Sequence, residues 1–267
     1  MTNEFRHTFA ISAYGESPHI EECIQSLKQQ SVPSKVILAT STPSPFLEGL
    51  CEKYHIPYFV RNGQSGLAND WNFALQSADA DFVTIAHQDD LYHPRYLEMV
   101  EEYRSRAKTP IIFFTDYDEL RGSKTIANNR LLNTKRRINR LVKPRAFWPS
   151  RFMRRRALSV GCAICCPSVC INKKRFPNFR FDEHFSCDLD WDAWSRLAEE
   201  RGEFVYIPEI MMSHRIHEAS ETTRLLENGV RFREDEQILM RYWPKWIARR
   251  IMKKYKESAK SNEEDMP

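Results

Sequence analysis

The chain has 267 residues, 42% of them hydrophobic and 28% charged. That is room for one large α/β domain, or a domain with an appended subdomain, with enough apolar residues for a packed core, and it excludes a disordered chain. The seven cysteines fit free thiols in a reducing, cytoplasmic setting better than a disulfide framework. No apolar run approaches the roughly 18–20 residues needed to span a bilayer, and Met1-Thr2-Asn3-Glu4-Phe5-Arg6-His7 carries no secretory signal pattern.

The net charge of +4 hides an asymmetry. Residues 120–181 hold 17 of the 40 lysines and arginines and none of the 36 acids, so the remainder is left with 23 basic against 36 acidic residues. A cationic block of that length calls for an anionic partner or a solvated face. No helix-turn-helix, ribonucleoprotein or zinc-finger pattern accompanies it, so nucleic acid is not expected as a partner, although a basic binding module stays open as a non-enzymatic reading.

In chain order, Thr8–Ala13 reads as an apolar strand and Tyr14–Pro18 as a turn. A helix from His19 to Gln30 follows, with Ile20, Cys23, Ile24 and Leu27 on one face at helical spacing. Then come a strand at Lys35–Thr40, a helix at Phe46–Tyr54, a short strand at Pro57–Val60, and a helix at Leu67–Ala78 with Leu67, Trp71, Ala74 and Leu75 inward. Phe82–Ala86 is a fourth strand, His93–Arg106 a fourth helix and Ile111–Thr115 a fifth strand. This alternation predicts an α/β fold with a mixed, mostly parallel sheet flanked by helices. From Arg121 to Arg156 the pattern loosens into a basic amphipathic helix. Ala163–Ile171 is expected as a cysteine-rich strand, Leu189–Glu200 as a helix, Phe204–Ile207 as a strand, and Glu227–Arg241 and Trp246–Lys256 as terminal helices before a frayed tail at Lys260–Pro267. The expected division is residues 1–120, residues 121–225 with the basic segment 121–181, and 226–267 as a C-terminal helical extension.

Ligands of open parallel sheets bind at the carboxyl ends of the strands. Four polar clusters fall there: Tyr14-Gly15-Glu16, Thr40-Ser41-Thr42, His87-Gln88-Asp89-Asp90 and Thr115-Asp116-Tyr117-Asp118. Adjacent carboxylates such as Asp89 and Asp90 repel each other unless a cation lies nearby, and Mg²⁺ or Mn²⁺ with carboxylates and substrate phosphates suits a nucleotide diphosphate. The same pair also reads as the acidic start of a helix. Asp188-Leu189-Asp190-Trp191-Asp192-Ala193-Trp194 holds candidates for a general base, or equally an N-cap with two core tryptophans. His214-Arg215-Ile216-His217 and Ser220 offer phosphate and metal contacts, or an ordinary polar surface loop.

The order of these motifs resembles the inverting glycosyltransferases of family 2, which have the GT-A fold. Ala13-Tyr14-Gly15-Glu16 is similar to that family's first-strand turn. Asn69-Asp70-Trp71-Asn72-Phe73-Ala74 resembles the helix before its metal motif, and Ala86-His87-Gln88-Asp89-Asp90 resembles a form of that motif. Asp188 to Leu197 resembles the segment supplying the base, and Arg215-Ile216-His217 through Ser220 the segment closing over the diphosphate.

The resemblance implies transfer of a hexose from a nucleotide-diphosphate sugar to a glycan or lipid-linked acceptor in bacterial surface-polysaccharide synthesis. It puts Ala13, Tyr14, Glu16, Thr42, Asn69, Gln88, Asp89, Arg215 and Ser220 on the donor, Asp89, Asp90 and His217 on the metal, and Asp190 as base, with Asp188 and Asp192 as alternatives. His87 replaces an aspartate of the metal motif, and Thr40-Ser41-Thr42 replaces an acid that reads the base. The basic block with Phe147, Trp148 and Phe152 is expected against an anionic inner membrane face or a phosphorylated acceptor. A rival enzyme reading is a zinc N-deacetylase using His87, Asp90 and His217. Cys162, Cys165, Cys166 and Cys170 lack two clean pairs and read as buried thiols rather than structural zinc ligands.

Overall fold

The computed structural model describes residues 5–217 and 230–253. The strands among them are β1 (His7–Ala13), β2 (Lys35–Thr40), β3 (Tyr58–Val60), β4 (Phe82–His87), β5 (Leu91–Tyr92), β6 (Pro110–Arg121), β7 (Lys124–Ile126), β8 (Val169–Asn172) and β9 (Glu203–Ile216). The helices are α1 (Ile20–Lys28), α2 (Pro45–Tyr54), α3 (Leu67–Ser77), α4 (Tyr96–Arg106), α5 (Arg130–Asn139), α6 (Arg151–Leu158), α7 (Leu189–Leu197), α8 (Val230–Leu239) and α9 (245–253). Ser220, the first residues of the expected Glu227–Arg241 helix, the end of the Trp246–Lys256 helix and the tail at Lys260–Pro267 lie outside the described residues.

The strands form one sheet in the order β3-β2-β1-β4-β8-β6-β9-β5, with β7 hydrogen-bonded to β6. The first four strands are parallel, as expected for βα units, and β8 runs antiparallel between β4 and β6. β1 lies between β2 and β4, so the chain reverses its direction of growth at their carboxyl ends, the place where open α/β sheets form their binding crevice.

The sheet is covered on both faces. One core holds Ile20, Ile24 and Leu27 of α1, Leu47 of α2 and Leu97 of α4. The other holds Trp71 of α3, Leu158 of α6, Trp191 and Trp194 of α7, Leu239 of α8 and Met252 of α9. Trp191 and Trp194 are fully buried. At 150–250 Å² each, their burial contributes roughly 4–6 kcal/mol apiece before ordering costs.

Three elements depart from the sequence pattern. Ala163–Ile171 is not one strand. A 3-10 turn at Cys166–Ser168, started by Pro167, precedes the four residues of β8. β6 runs on from Thr115 to Arg121, because its acidic residues find partners in the fold: Asp116 accepts from Tyr206 Oη at 2.8 Å and Glu119 from Asn129 Nδ2 at 3.2 Å. β9 runs on past Ile207 to Ile216, through the segment read as a loop. It is parallel to β6 with a bulge: Thr115 pairs with Ile207, Asp116 with Ile210 and Tyr117 with Met212. Pro208, which has no N–H for a ladder, falls in the bulge.

Much of the basic block is consumed internally. Arg154 is buried, and its guanidinium donates to the carbonyls of Ala198 (2.9 Å), Gly202 (2.5 Å) and Glu200. Arg151 and Arg155 pair with Glu199, Arg136 with Asp116, and Lys174 with Asp81. Lys173 donates to the carbonyls of Gln76 (3.1 Å) and Ala78 (2.5 Å) at the end of α3.

Candidate active site

The carboxyl ends of β1, β2 and β4 meet because their parallel registers align them: Ala13 lies opposite Thr40, and Ser12 opposite His87. Beyond the strands, side chains continue the pairing. Gln88 donates from Nε2 to Tyr14 O at 2.9 Å and accepts from Tyr14 N at 3.1 Å, locking the two strand ends together. Thr42 Oγ1 accepts from Gly15 N at 2.7 Å. Gly15 sits at φ +61°, a left-handed turn that a side chain would strain. Tyr14 is left 56% exposed beside this turn, Glu16 is exposed, Ala13 is buried beneath, and Asn69 is half-buried at the start of α3.

The two carboxylates that follow β4 have different surroundings. Asp89 is part exposed, accepting from Ser17 Oγ on one oxygen and from His217 Nε2 at 3.2 Å on the other. The His19 ring lies 5.7 Å from that of His217. Asp90 is 1% exposed, and its Oδ1 accepts from His214 Nδ1 at 3.0 Å and from Arg215 N at 2.9 Å. Burial alone would push the Asp90 carboxyl up, but His214 and the other donors outweigh it and hold it below the ordinary range, while Asp90 in turn raises His214 against its own burial.

These contacts depend on β5. Its two residues pair antiparallel with Met212 and Ser213, which lays the last turns of β9 against the segment after β4. Arg215 is buried there, donating from Nε to Asp89 O at 2.9 Å and pairing through Nη2 with Glu22 at 2.5 Å.

His87 packs on Trp71, with ring centroids 4.9 Å apart, and burial keeps its imidazole neutral by lowering its pKa. Among the described residues no group of three His, Cys, Asp or Glu side chains has the arrangement of a metal site. Asp89 and His217 are therefore brought together, whereas Asp90 engages a separate set of partners. The His87, Asp90 and His217 set of the deacetylase reading does not form a cluster either.

The second carboxylate group lies on α7. Its start is tied down by Trp191, whose Nε1 donates to Leu158 O at 2.9 Å. The three acids have distinct surroundings. Asp192 is fully buried between Arg196 and Arg241, each at 2.8 Å. Asp188 is buried beside Asp235. Asp190 Oδ1 accepts from Trp191 N at 2.7 Å, and its carboxyl is raised by burial, with Lys135, Arg231 and the Cys162 thiol opposing that rise.

Lys135 reaches this point from the basic helix α5 and donates to Tyr117 Oη at 2.8 Å, and the Tyr117 ring meets that of His214 edge-on at 6.2 Å. Ser17 and Lys135 were not singled out from the sequence, and Tyr117, Cys162 and His214 were named there only within a polar cluster, a cysteine group and the His214–His217 segment, with no role beside Asp90 or Asp190. Lys135 was hidden inside a charge run, and the others became neighbours of the motifs only through the β5–β9 and β6–β9 pairings.

A mixed, mostly parallel sheet flanked by helices, with its switch point between β1 and β4, is an architecture of the GT-A kind. The chain belongs to glycosyl transferase family 2, whose model matches residues 8–168. Solved structures agree on the fold. The TarS fragment 1–349 of S. aureus superposes with a TM-score of 0.59 at 12% identity, covering 93% of this chain and 69% of that one. The same fragment in complex with UDP-GlcNAc gives 0.59 at 14% identity, covering 89% and 71%. The mannosyltransferase PcManGT of Pyrobaculum calidifontis, in complex with GDP-Man and Mn²⁺, gives 0.60 at 15% identity, covering 88% and 62%. No curated protein matches the chain.

Proposed function

We propose that this glycosyltransferase moves a hexose from a nucleotide-diphosphate sugar to a hydroxyl of a glycan or lipid-linked acceptor, with inversion and with a divalent cation, in the synthesis of a cell-surface polysaccharide. The observation that carries the reading is the division of labour between two carboxylates, Asp89 in the crevice and Asp190 on α7 beside Lys135. The donor's base and ribose lie against Tyr14, Glu16, Thr42 and Asn69, with Gln88 holding the Tyr14 turn. Asp190 takes the acceptor proton as that oxygen attacks the anomeric carbon from the face opposite the diphosphate, which inverts the configuration. Arg215 exchanges its exposed partner Glu22 for a phosphate oxygen, and Ser220 adds a second contact.

Asp89 and His217 would hold Mn²⁺ or Mg²⁺ as a carboxylate and imidazole pair. When bound, such an ion supplies charge neutralisation at the leaving diphosphate. Asp90, whose Oδ1 accepts from His214 and Arg215 while its buried Oδ2 has no hydrogen-bond partner among the described residues, serves in this reading as a strut under the site rather than as a ligand. The GDP-Man and Mn²⁺ complex of PcManGT and the UDP-GlcNAc complex of TarS support a metal-assisted nucleotide-sugar donor.

The test is a panel of nucleotide sugars with Mn²⁺, read by calorimetry and by release of nucleoside diphosphate. At least one donor is expected to bind and turn over, and EDTA to abolish it. Turnover unaffected by EDTA would remove the cation from the reading, and binding of no donor would sink it altogether.

No helix among the described residues is long and apolar enough to cross a membrane. A peripheral contact at the cytoplasmic face rests on α5 and its flank. Arg130, Leu131, Arg137, Arg140 and Leu141 are exposed there on a segment without acids. Co-sedimentation with phosphatidylserine vesicles at low salt is expected, and its absence removes the contact.

A further inference from the structure

We propose that Glu234 of α8 is the positioning residue of the general base, so that a C-terminal helix beyond the matched family segment completes the active site. The inference rests on the reading of Asp190 as that base. α7 starts one residue before Asp190, and its N-cap, Asp188, makes no side-chain hydrogen bond to the helix start. The usual local device for fixing a helix entry is therefore missing. Glu234 takes its place from another element. It is buried; its Oε1 accepts from Ser186 N at 2.8 Å, and its Oε2 accepts from Cys187 N at 2.8 Å and Asp188 N at 2.9 Å. One carboxylate thus grips three consecutive amides of the turn that leads into Asp190.

The next residue of α8, Asp235, hydrogen-bonds the Asp188 side chain. Burial pushes both carboxyls up, and the nearby Asp235 raises Asp188 further. Arg231, one turn earlier on α8, is the cation within electrostatic reach of Asp188, Asp190 and Asp235. Gathering Asp188, Asp190 and Asp235 around Arg231, with Lys135 as a second cation near Asp190, is a poor device for stability alone, because carboxylates taken out of water must be desolvated. What the arrangement secures is placement, and a base displaced by about 1 Å loses roughly 10²-fold in rate.

The experiment compares Glu234→Gln, Glu234→Ala, Asp190→Asn and the double variant Glu234→Gln/Asp190→Asn in the full chain, with the donor that the nucleotide-sugar panel turns over. Amide exchange of residues 186–188 and the affinity for UDP or GDP with Mn²⁺ are measured beside the rates. Glu234→Gln is expected to lower kcat about 10- to 100-fold, with nucleotide affinity within about twofold and faster exchange of those amides. Glu234→Ala is expected to be at least as slow, and the double variant no slower than Asp190→Asn alone, because both changes remove the same function. The inference is overturned if Glu234→Gln loses activity only in proportion to its unfolded fraction. A double variant slower than Asp190→Asn by the full Glu234→Gln factor overturns it as well. Normal turnover by Asp190→Asn removes the base assignment itself, and it differs from a failure of positioning because amide exchange still reports whether Glu234 grips the turn.

Discussion

Replacing Asp90 by Asn separates a strut from a metal ligand. The wild-type carboxylate is 1% exposed and accepts two hydrogen bonds on one oxygen, from His214 Nδ1 at 3.0 Å and from Arg215 N at 2.9 Å. Asn keeps the shape and one acceptor oxygen, so neither donor need be orphaned, but the negative charge facing His214 is lost. Hydrogen bonds to a charged group are worth about 1.5–3 kcal/mol and neutral ones about 0.5–1.5, so the change costs roughly 2–3 kcal/mol. Removing the side chain altogether, in Asp90→Ala, costs roughly 3–5 kcal/mol because His214 and the Arg215 amide then lose their acceptor. For a chain of this size about 2–4 °C is lost per kcal/mol, which puts the Asn variant roughly 5–10 °C below wild type in Tm. Scanning calorimetry measures that shift, and titration of Mn²⁺ with UDP or GDP measures the ligand role. Unchanged Tm together with loss of cation-dependent nucleotide binding would refute the strut and restore Asp90 to the coordination shell.

Other outcomes follow from the same geometry. Asp190→Asn should slow transfer about 10²–10⁴-fold while leaving nucleotide affinity unchanged, as measured by calorimetry and initial rates. Burial raises the Asp190 carboxyl and a base must be ionised, so the wild-type rate should fall with decreasing pH through a value above the ordinary carboxylate range; a rate that is flat down to pH 4 would contradict this. Asp89→Ala or His217→Ala should weaken Mn²⁺-dependent binding of UDP or GDP at least about tenfold, the loss expected of a ligand or its direct support. Arg154→Met leaves the carbonyls of Ala198, Glu200 and Gly202 without their guanidinium donor, the first of them buried; it should cost about 3–5 kcal/mol in urea unfolding, less than the sum of three separate bonds because they share one side chain.

The cationic block illustrates how charge is legible in composition while its internal partners are not. Its charge is real, but a large share is spent inside the molecule, on Glu199, Asp116, Asp81 and the carbonyls that end α3 and α7. Arginines that bind carbonyls and arginines that face solvent look the same in a string of letters. What remains for an external anion is the exposed flank of α5 and the turn after it, with further exposed cations such as Lys124 and Arg156.

By itself the sequence determined the βα half. Helical spacing at Ile20, Cys23, Ile24 and Leu27, and short apolar runs bounded by turns, specify local structure because burial follows periodicity directly. It also placed three of the four polar clusters at strand ends, since a chain leaving a parallel strand must emerge at the same edge as its neighbours, whereas Thr115–Asp118 lies within β6. The tertiary structure decided which polar side chains share a site. Asp89 and Asp90 are adjacent in sequence and have different partners, while Asp89 and His217, 128 residues apart, are hydrogen-bonded. The bulge in β9 and the two-residue β5 create those neighbours, and both depend on pairings between distant strands that no local pattern encodes. The same holds for Glu234, whose role exists only because α8 docks against a turn 46–48 residues earlier in the chain.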